Sequence, residues 1–392
     1  MDKLPGESTQ AGRLRYDQGA VGKVLIVGPV PPPYHGVATF IRDLLEAAPR
    51  QTRFHFEHLD TSDRRDASNL GRWDAQNLSL GFANLAELAS RLLRGRHDLV
   101  YVPISQNVPA FLRDALFVIL SRLHGSRVVL HLHGGYFREF FDREAPAWFR
   151  TVARRVLKRA RAVIVLAEEF RPIFEGLVAP NRIHVVENGV PDLFAEVTHA
   201  HIVPKPRTIL YMSTLARTKG ILDLVRALIF LRSDIPDVRL RVAGNWSEEH
   251  TRAETLDVIA RGNLNDTVEF VGNVDGAAKR AFLMSGDLFC LPTHYPYEGQ
   301  PLVVLEAMSA GLPVLSTRHG ALASTVQDGV TGRLLERGCG PRELAEALRE
   351  MLSDAACLRA QGVVARARYL ERYMLEQCHT RLLDVFEQAL KL

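Results

Sequence analysis

The chain is poor in cysteine. Its four residues, Cys290, Cys339, Cys357 and Cys378, form no Cys-x-x-Cys pair and have no histidines at metal-ligand spacing. That excludes a disulfide framework and a structural zinc, and no metal is expected. No apolar run reaches the roughly 18 to 20 residues of a membrane span; the longest, such as ALFVIL at 115–120, read as buried elements. The opening MDKLPGESTQAGRLRYDQGA lacks the apolar core of a secretory signal. Residues 1–21 therefore read as a disordered tail, and the chain is expected to be cytoplasmic. An excess of one charge is missing too: 49 Lys and Arg against 45 Asp and Glu leave a formal charge of +4, too little to argue for nucleic acid. No short repeat and no low-complexity tract is visible.

What is present is ordinary globular sequence, 47% hydrophobic and 24% charged. At 392 residues it is too long for one core and suits two domains. Short β-branched runs alternate with helix-periodic stretches, the pattern of a parallel sheet with crossover helices. KVLIVG (23–28), DLVYVP (98–103), RVVLHLHG (127–134), AVIVLA (162–167) and RIHVVENG (182–189) form one series. RTILYMS (207–213), VRLRVAG (238–244), TVEFVG (267–272), DLFCLP (287–292) and LPVLS (312–316) form a second. The expected fold class is α/β, with two Rossmann-like doubly wound domains at 22–187 and 208–365. A linker at 188–207 joins them, and a C-terminal helix, 366–392, is placed to cross back to the first domain. In such sheets ligands bind beyond the carboxyl ends of the strands, so the residues just after each strand are the candidates.

The stretch EGQPLVVLE (298–306) sets Glu298 in a loop and Glu306 more than a turn inside a helix that opens at Pro301. The N–H groups of Gly299, Gln300, Leu302 and Val303 then point out of the helix terminus, a ready anion site suited to phosphate. The two acids flank that terminus, each within reach of a hydroxyl on one side of a diphosphate. The segment EGQPLVVLEAMSAGLPV resembles the Glu-x7-Glu segment of retaining glycosyltransferases with the GT-B fold, family 4 (glycosyl transferases group 1) in particular. The resemblance implies that Glu306 holds the nucleotide ribose and that Glu298 faces the donor sugar near its anomeric carbon. It also implies that Gly299, Gln300, Pro301 and Leu302 form the diphosphate-binding helix start.

ILYMSTLARTKGILDLVRAL (209–228) resembles the family's Gly-Arg-Leu-x3-Lys-Gly segment. Leu215, Lys219 and Gly220 match, while Ser213 and Thr214 stand where the family has glycine and arginine. Lys219 is expected to oppose the charge on the departing nucleoside diphosphate. Two substitutes for the missing arginine stand side by side: the Arg217 cation or a Thr214 hydroxyl contact. GPVPPPYHGVATF (28–40) resembles the family's proline-rich loop ending in Gly-Gly, with His35 in the first glycine position. Gly36 admits close approach of a ligand to backbone, and His35 is either a loop contact or filler. No GxGxxG follows that strand, which counts against a nicotinamide or flavin site.

RVVLHLHGG (127–135) puts His131 and His133 on one face of a strand end. A packed or hydrogen-bonded histidine is commoner there than a metal ligand. The resemblance gives His133 contact with a donor-sugar hydroxyl, with Gly134 beside it, and makes Asn188 of ENGV a turn residue at the domain connection. VAGNW and FVGNV place Gly244 and Asn273 in strand-end loops near base and phosphates. No Asp-x-Asp occurs, in agreement with metal-independent transfer.

The resemblance spans roughly residues 22–385. It implies a hexosyltransferase that uses a nucleoside diphosphate sugar as donor and needs no cofactor. A glycan or glycolipid, such as a lipid-linked oligosaccharide for surface polysaccharide, is the expected acceptor, and loops such as residues 60–80 set its identity. PAWFRTVARRVLKRARA (146–162) reads as a basic amphipathic helix able to touch an anionic membrane, at the inner face of the plasma membrane. Alternatives are a non-catalytic nucleotide-sugar-binding regulatory subunit, kept open by Thr214, and a GT-B sugar phosphorylase or epimerase.

Overall fold

The computed structural model describes residues 21–32, 34–64, 75–196 and 207–391, with the backbone alone at 75–78. Most of the expected tail, the middle of the linker and about half of the 60–80 loop lie outside these residues.

Two six-stranded, all-parallel sheets carry the chain. The first contains β1 (Gly22–Gly28), β2 (Phe54–Asp60), β3 (Leu99–Pro103), β4 (Arg127–His131), β5 (Ala162–Val165) and β6 (Ile183–Val185), in the order β2-β1-β3-β4-β5-β6. The second contains β7 (Thr208–Met212), β8 (Arg239–Ala243), β9 (Val268–Gly272), β10 (Leu288–Leu291), β11 (Val314–Thr317) and β12 (Gly332–Leu335), in the order β12-β11-β10-β7-β8-β9. The inner strands are apolar throughout because helices cover both faces: Val128, Val129 and Leu130 of β4 and Leu288, Phe289, Cys290 and Leu291 of β10 have no exposed surface. Chain order reverses between β1 and β3 in the first sheet and between β7 and β10 in the second, the positions at which doubly wound sheets open a ligand crevice. The architecture is the expected GT-B fold.

Two strands escaped the sequence reading, β2 and β12. Both are edge strands with a single neighbour. FHFEHLD mixes His55, Glu57 and His58 into its pattern because most of its side chains remain half-buried, so no apolar run marks it.

The apolar run at 115–120 needs a correction. It forms part of helix Val108–Leu123, where Ala115, Phe117 and Val118 are buried but Leu116 and Ile119 are 48% and 37% exposed. Packing against the sheet needs only one face of that helix, and the rest of the run faces outward.

The last helix, Leu375–Lys391, packs Cys378, Leu382, Leu383, Val385, Phe386 and Ala389 against Val24, Ile26, Phe54 and Tyr101 of the first domain. Fully burying a side chain the size of Leu382 or Phe386 stabilises by about 1.5 to 3 kcal/mol, so this helix ties the chain's end to its beginning. The connection is tied to helix Ala355–Arg372 of the second domain: Asp192 accepts two hydrogen bonds from Arg366 at 2.8 and 2.7 Å, and the Tyr369 hydroxyl donates to the Val190 carbonyl at 2.8 Å.

Candidate active site

β7 and β10 are hydrogen-bonded neighbours, so the loops that follow them lie side by side. After β7 a short turn, Arg217–Lys219, leads to Gly220 in the left-handed region, φ 82°, and then to helix Ile221–Leu231. A Cβ at Gly220 would fall 2.3 Å from the Pro292 carbonyl oxygen of the β10 loop. Glycine after the lysine is thus required twice, by backbone angle and by the contact between the two loops. The geometry delivers Lys219 Nζ to both Glu298 oxygens, at 3.0 and 2.8 Å. The Thr293 hydroxyl donates to Glu298 Oε2 at 2.7 Å, and the ammonium also lies 4.4 Å from the centre of the Tyr295 ring. Glu298 is only 5% exposed. The cation and the hydroxyl beside it offset the cost of holding a carboxylate so far from water.

Helix Leu302–Ser309 begins one residue later than the sequence suggests, with Pro301 as its cap and no side chain capping its terminus. The N–H groups of Leu302 and Val303 have no intrahelical partner, whereas that of Val304 donates to the Pro301 carbonyl at 3.1 Å. One turn further along, Glu306 accepts a hydrogen bond from Lys279 Nζ at 2.8 Å, and Asp275 lies 3.7 Å from the same ammonium. Burial works against the Lys279 charge, but the Glu306 carboxylate outweighs it and raises its pKa. Across the cleft, burial also raises the pKa of Asp43 in helix Gly36–Ala47, with Glu306 adding to the effect against the neighbouring Arg42. The first domain therefore faces Glu306 within electrostatic reach.

From the first domain, β4 ends in His131, and His133 follows at the cleft. The Tyr101 hydroxyl bridges them, 2.8 Å from His131 Nδ1 and 3.1 Å from His133 Nε2. The imidazole rings sit 3.9 Å apart, with Phe40 edge-on to both. Burial pushes the His133 pKa down to about 3, with His35 adding to the shift, so His133 is a neutral hydrogen-bonding group. His35 caps helix Gly36–Ala47 by accepting from the Ala38 N–H at 3.4 Å, while its buried Nε2 has no partner among the described residues. A Cβ on Gly36 would meet nothing within 4 Å, so the space beside this glycine is open.

The two halves touch at the acid loop. The Gly135 N–H donates to the Glu298 carbonyl at 3.1 Å, and a Cβ on Gly299 would stand 2.2 Å from the His133 carbonyl oxygen. The backbone of Glu298 and Gly299 therefore meets that of His133 and Gly135 where the domains join, with Lys219 on the Glu298 side chain and Glu306 further along in helix Leu302–Ser309.

Other expected residues are placed differently. The Arg217 guanidinium does not turn to Lys219; it pairs with Glu254 of helix Glu249–Arg261, which also takes Arg226 at 2.7 Å. Thr214 is exposed. The Gln300 side chain is not turned to the cleft but holds the connection: its Oε1 accepts from the Asn188 N–H at 2.7 Å, its carbonyl from Asn188 Nδ2 at 2.9 Å, and its Nε2 donates to Thr325 at 3.0 Å. Gly244, φ 135°, lets its backbone pass the Ser213 carbonyl, where a Cβ would be 1.9 Å away. Its N–H reaches Gly272, and Asn273 follows in an exposed position. Thr293, Tyr295, Lys279 and Tyr101 were missed by the sequence reading; Thr293 and Tyr295 lie just after β10, where strand-end position alone marks them. Among the described residues no three His, Cys, Asp or Glu side chains converge as for a metal.

The family model described as glycosyl transferases group 1 matches residues 197–368, and that described as Glycosyltransferase Family 4 matches residues 34–192. The chain belongs to the group 1 glycosyltransferases. Among curated members of known activity, it is 32% identical over 197 residues to the GDP-mannose:cellobiosyl-diphosphopolyprenol alpha-mannosyltransferase of Xanthomonas campestris, a match covering 50% of each chain. It is 27% identical over 316 residues to the GDP-mannose-dependent alpha-(1-6)-phosphatidylinositol monomannoside mannosyltransferase of Mycolicibacterium smegmatis, covering 76% of this chain and 79% of that one. The chain thus spans about half the length of the Xanthomonas relative. The crystal structure of Anabaena HepE in complex with UDP superposes with a TM-score of 0.72 at 20% identity, over 93% of this chain and 100% of that one. At that identity the likeness is one of fold, and the fold it shows is that of a GT-B glycosyltransferase.

Proposed function

We propose that this group 1 glycosyltransferase moves a hexose from a nucleoside diphosphate sugar to an acceptor hydroxyl, with retention of anomeric configuration and without a metal. The reading is carried by one observation: Lys219 and the uncapped terminus of helix Leu302–Ser309 frame the buried carboxylate of Glu298, opposite the neutral His133. A diphosphate entering there gains the lysine and the helix-end N–H groups, which oppose the charge that builds as the sugar bond breaks. Glu298, partly relieved of Lys219, orients the donor sugar and supports positive charge at its ring. Neutral His133 hydrogen-bonds a donor hydroxyl, and Glu306, released from Lys279, takes the ribose. In same-face attack the leaving phosphate oxygen accepts the acceptor proton, so the protein supplies position and charge rather than a base.

GDP-mannose is the first donor to test, because it is the donor of the Xanthomonas and Mycolicibacterium relatives. A lipid-linked acceptor at an anionic cytoplasmic membrane face fits helix Ala147–Leu157 and its continuation. Arg154, Arg155, Lys158 and Arg159 are exposed there, Trp148 is 54% exposed, and helix Val108–Leu123, with Leu116 and Ile119 exposed, packs alongside. Among the described residues no helix is long and apolar enough to cross a membrane. A panel of GDP-, UDP- and ADP-sugars, scored for binding and slow hydrolysis, tests the proposal. Turnover of one donor that is abolished in Lys219→Ala is expected; absence of binding to all of them would overturn it. A non-catalytic, nucleotide-sugar-binding subunit is the second reading, favoured by Thr214 in the family's arginine position and by the engagement of Arg217 with Glu254. Tight donor binding without turnover would select it.

A further inference from the structure

We propose that Tyr136 and Tyr297 form a stacking platform for an uncharged pyranose ring of the acceptor, an inference that rests on the glycosyl-transfer reading above. Tyr136 follows Gly134 and Gly135 beyond β4, and Tyr297 immediately precedes Glu298 beyond β10, so each domain contributes one ring. The rings meet edge to face, with centroids 4.7 Å apart and planes at 62°. Tyr295, 5.6 Å from Tyr297, already carries the Lys219 ammonium on its face and belongs to the diphosphate side of the site.

Consecutive residues here point opposite ways. Glu298 is 5% exposed and turned to Lys219, whereas Tyr297 is 37% exposed and turned to Tyr136. A ring resting on Tyr297 therefore lies outside the donor position and one residue from it, where an acceptor hydroxyl has to arrive.

The chemistry of the patch fits a sugar. A pyranose has an apolar C–H face and a hydroxyl rim, and an aromatic face is apolar with partial negative charge that attracts those C–H groups. Polar groups for the rim are at hand: the Tyr136 hydroxyl bonds to Glu144, and Gln106, which accepts the Tyr136 N–H at 2.7 Å, lies against Gly134. Tyr136 is further fixed in its protonated form, its pKa pushed up to about 12 by the hydrogen bond to Glu144, so it remains a neutral hydroxyl at working pH. The carboxylate of Glu144, at the Tyr136 hydroxyl, disfavours a uronic acid in the same place.

The test uses the full chain with saturating GDP or UDP and ligand-observed saturation-transfer NMR on methyl β-D-glucopyranoside and methyl β-D-glucuronide. Saturation on the ring C–H protons of the neutral glucoside is expected, with weaker signals from the glucuronide. Affinity is expected to fall about tenfold in Tyr297→Ala, which corresponds to about 1.4 kcal/mol, and to fall in Tyr136→Ala. Tyr297→Phe, which keeps the ring, should bind as the parent does, and nucleotide affinity should be the same in all four proteins. Absence of glucoside binding, or binding indifferent to Tyr297→Ala, overturns the platform while leaving the transferase reading intact if nucleotide still binds. Equal loss of nucleotide affinity in Tyr297→Ala also overturns it, since the ring would then serve the donor. A parent chain that binds neither nucleotide fails the transferase reading and the platform with it.

Discussion

Acidification from pH 7 to pH 5 is expected to destabilise the first domain through its buried histidines. His131 is fully buried and its pKa is held well below 6.5 by burial, with His133 adding to the effect. His133 is held at about 3, and His379 in the last helix at about 4, both chiefly by burial. In the unfolded chain each returns to about 6.5. Between the folded and unfolded values the unfolded chain binds more protons, so stability is complete above about pH 6.5 and is lost as pH falls below it. At pH 5 the loss is about 2 kcal/mol for each of His133 and His379, from the 1.5 units between 5 and 6.5, and His131 adds in the same direction. Those two together, about 4 kcal/mol, approach the lower end of an average domain's stability, about 5 to 15 kcal/mol, and correspond to a fall in melting temperature of roughly 8 to 16 °C. Thermal melts followed by circular dichroism at pH 7, 6 and 5 measure it. His133→Gln should flatten the pH dependence. A melting temperature indifferent to pH over that range, or a slope unchanged in His133→Gln, would refute the reasoning. Because His133 is already neutral there, transfer activity should show no inflection from it between pH 5 and 8.

Other perturbations follow from the same geometry. Lys219→Ala strands the Glu298 charge beside Thr293 and should cost about 3 to 5 kcal/mol in denaturant unfolding, whereas Glu298→Gln leaves the unpaired charge on Lys219, whose side chain is 16% exposed against 6%, and should cost less. Gly299→Ala drives a Cβ into the His133 carbonyl; transfer activity should fall while nucleotide binding by the second domain persists, and equal activity would show that the domains need not meet there. Phe386→Ala empties a fully buried site in the last helix and should lower stability by about 3 to 5 kcal/mol, read by chemical denaturation.

Much of the molecule is written in its sequence. The inner strands announce themselves because helices cover both faces and every side chain must be apolar; β2 does not, because it carries half-buried His55, Glu57 and His58, and β12 is only four residues, GRLL, long. The loops that carry Lys219 and Glu298 were legible as neighbours because they follow β7 and β10, the strands between which chain order reverses. Pairing across elements was not legible. Lys279 comes to Glu306 from a different helix, Glu254 captures Arg217 from 37 residues away, and Gln300 spends its amide on Asn188 across the domain connection. Such partners depend on how helices pack, which no local pattern specifies. The same holds for the glycines: Gly220 and Gly299 are fixed by the Pro292 and His133 carbonyls that face them.

Calorimetric titration of GDP and UDP into the parent chain and Lys219→Ala tests most directly whether a diphosphate is held between the lysine and helix Leu302–Ser309. The account predicts binding of at least one nucleotide, weakened roughly 10- to 150-fold in Lys219→Ala, the worth of one hydrogen bond to a charged group. Equal affinity in both proteins would contradict it.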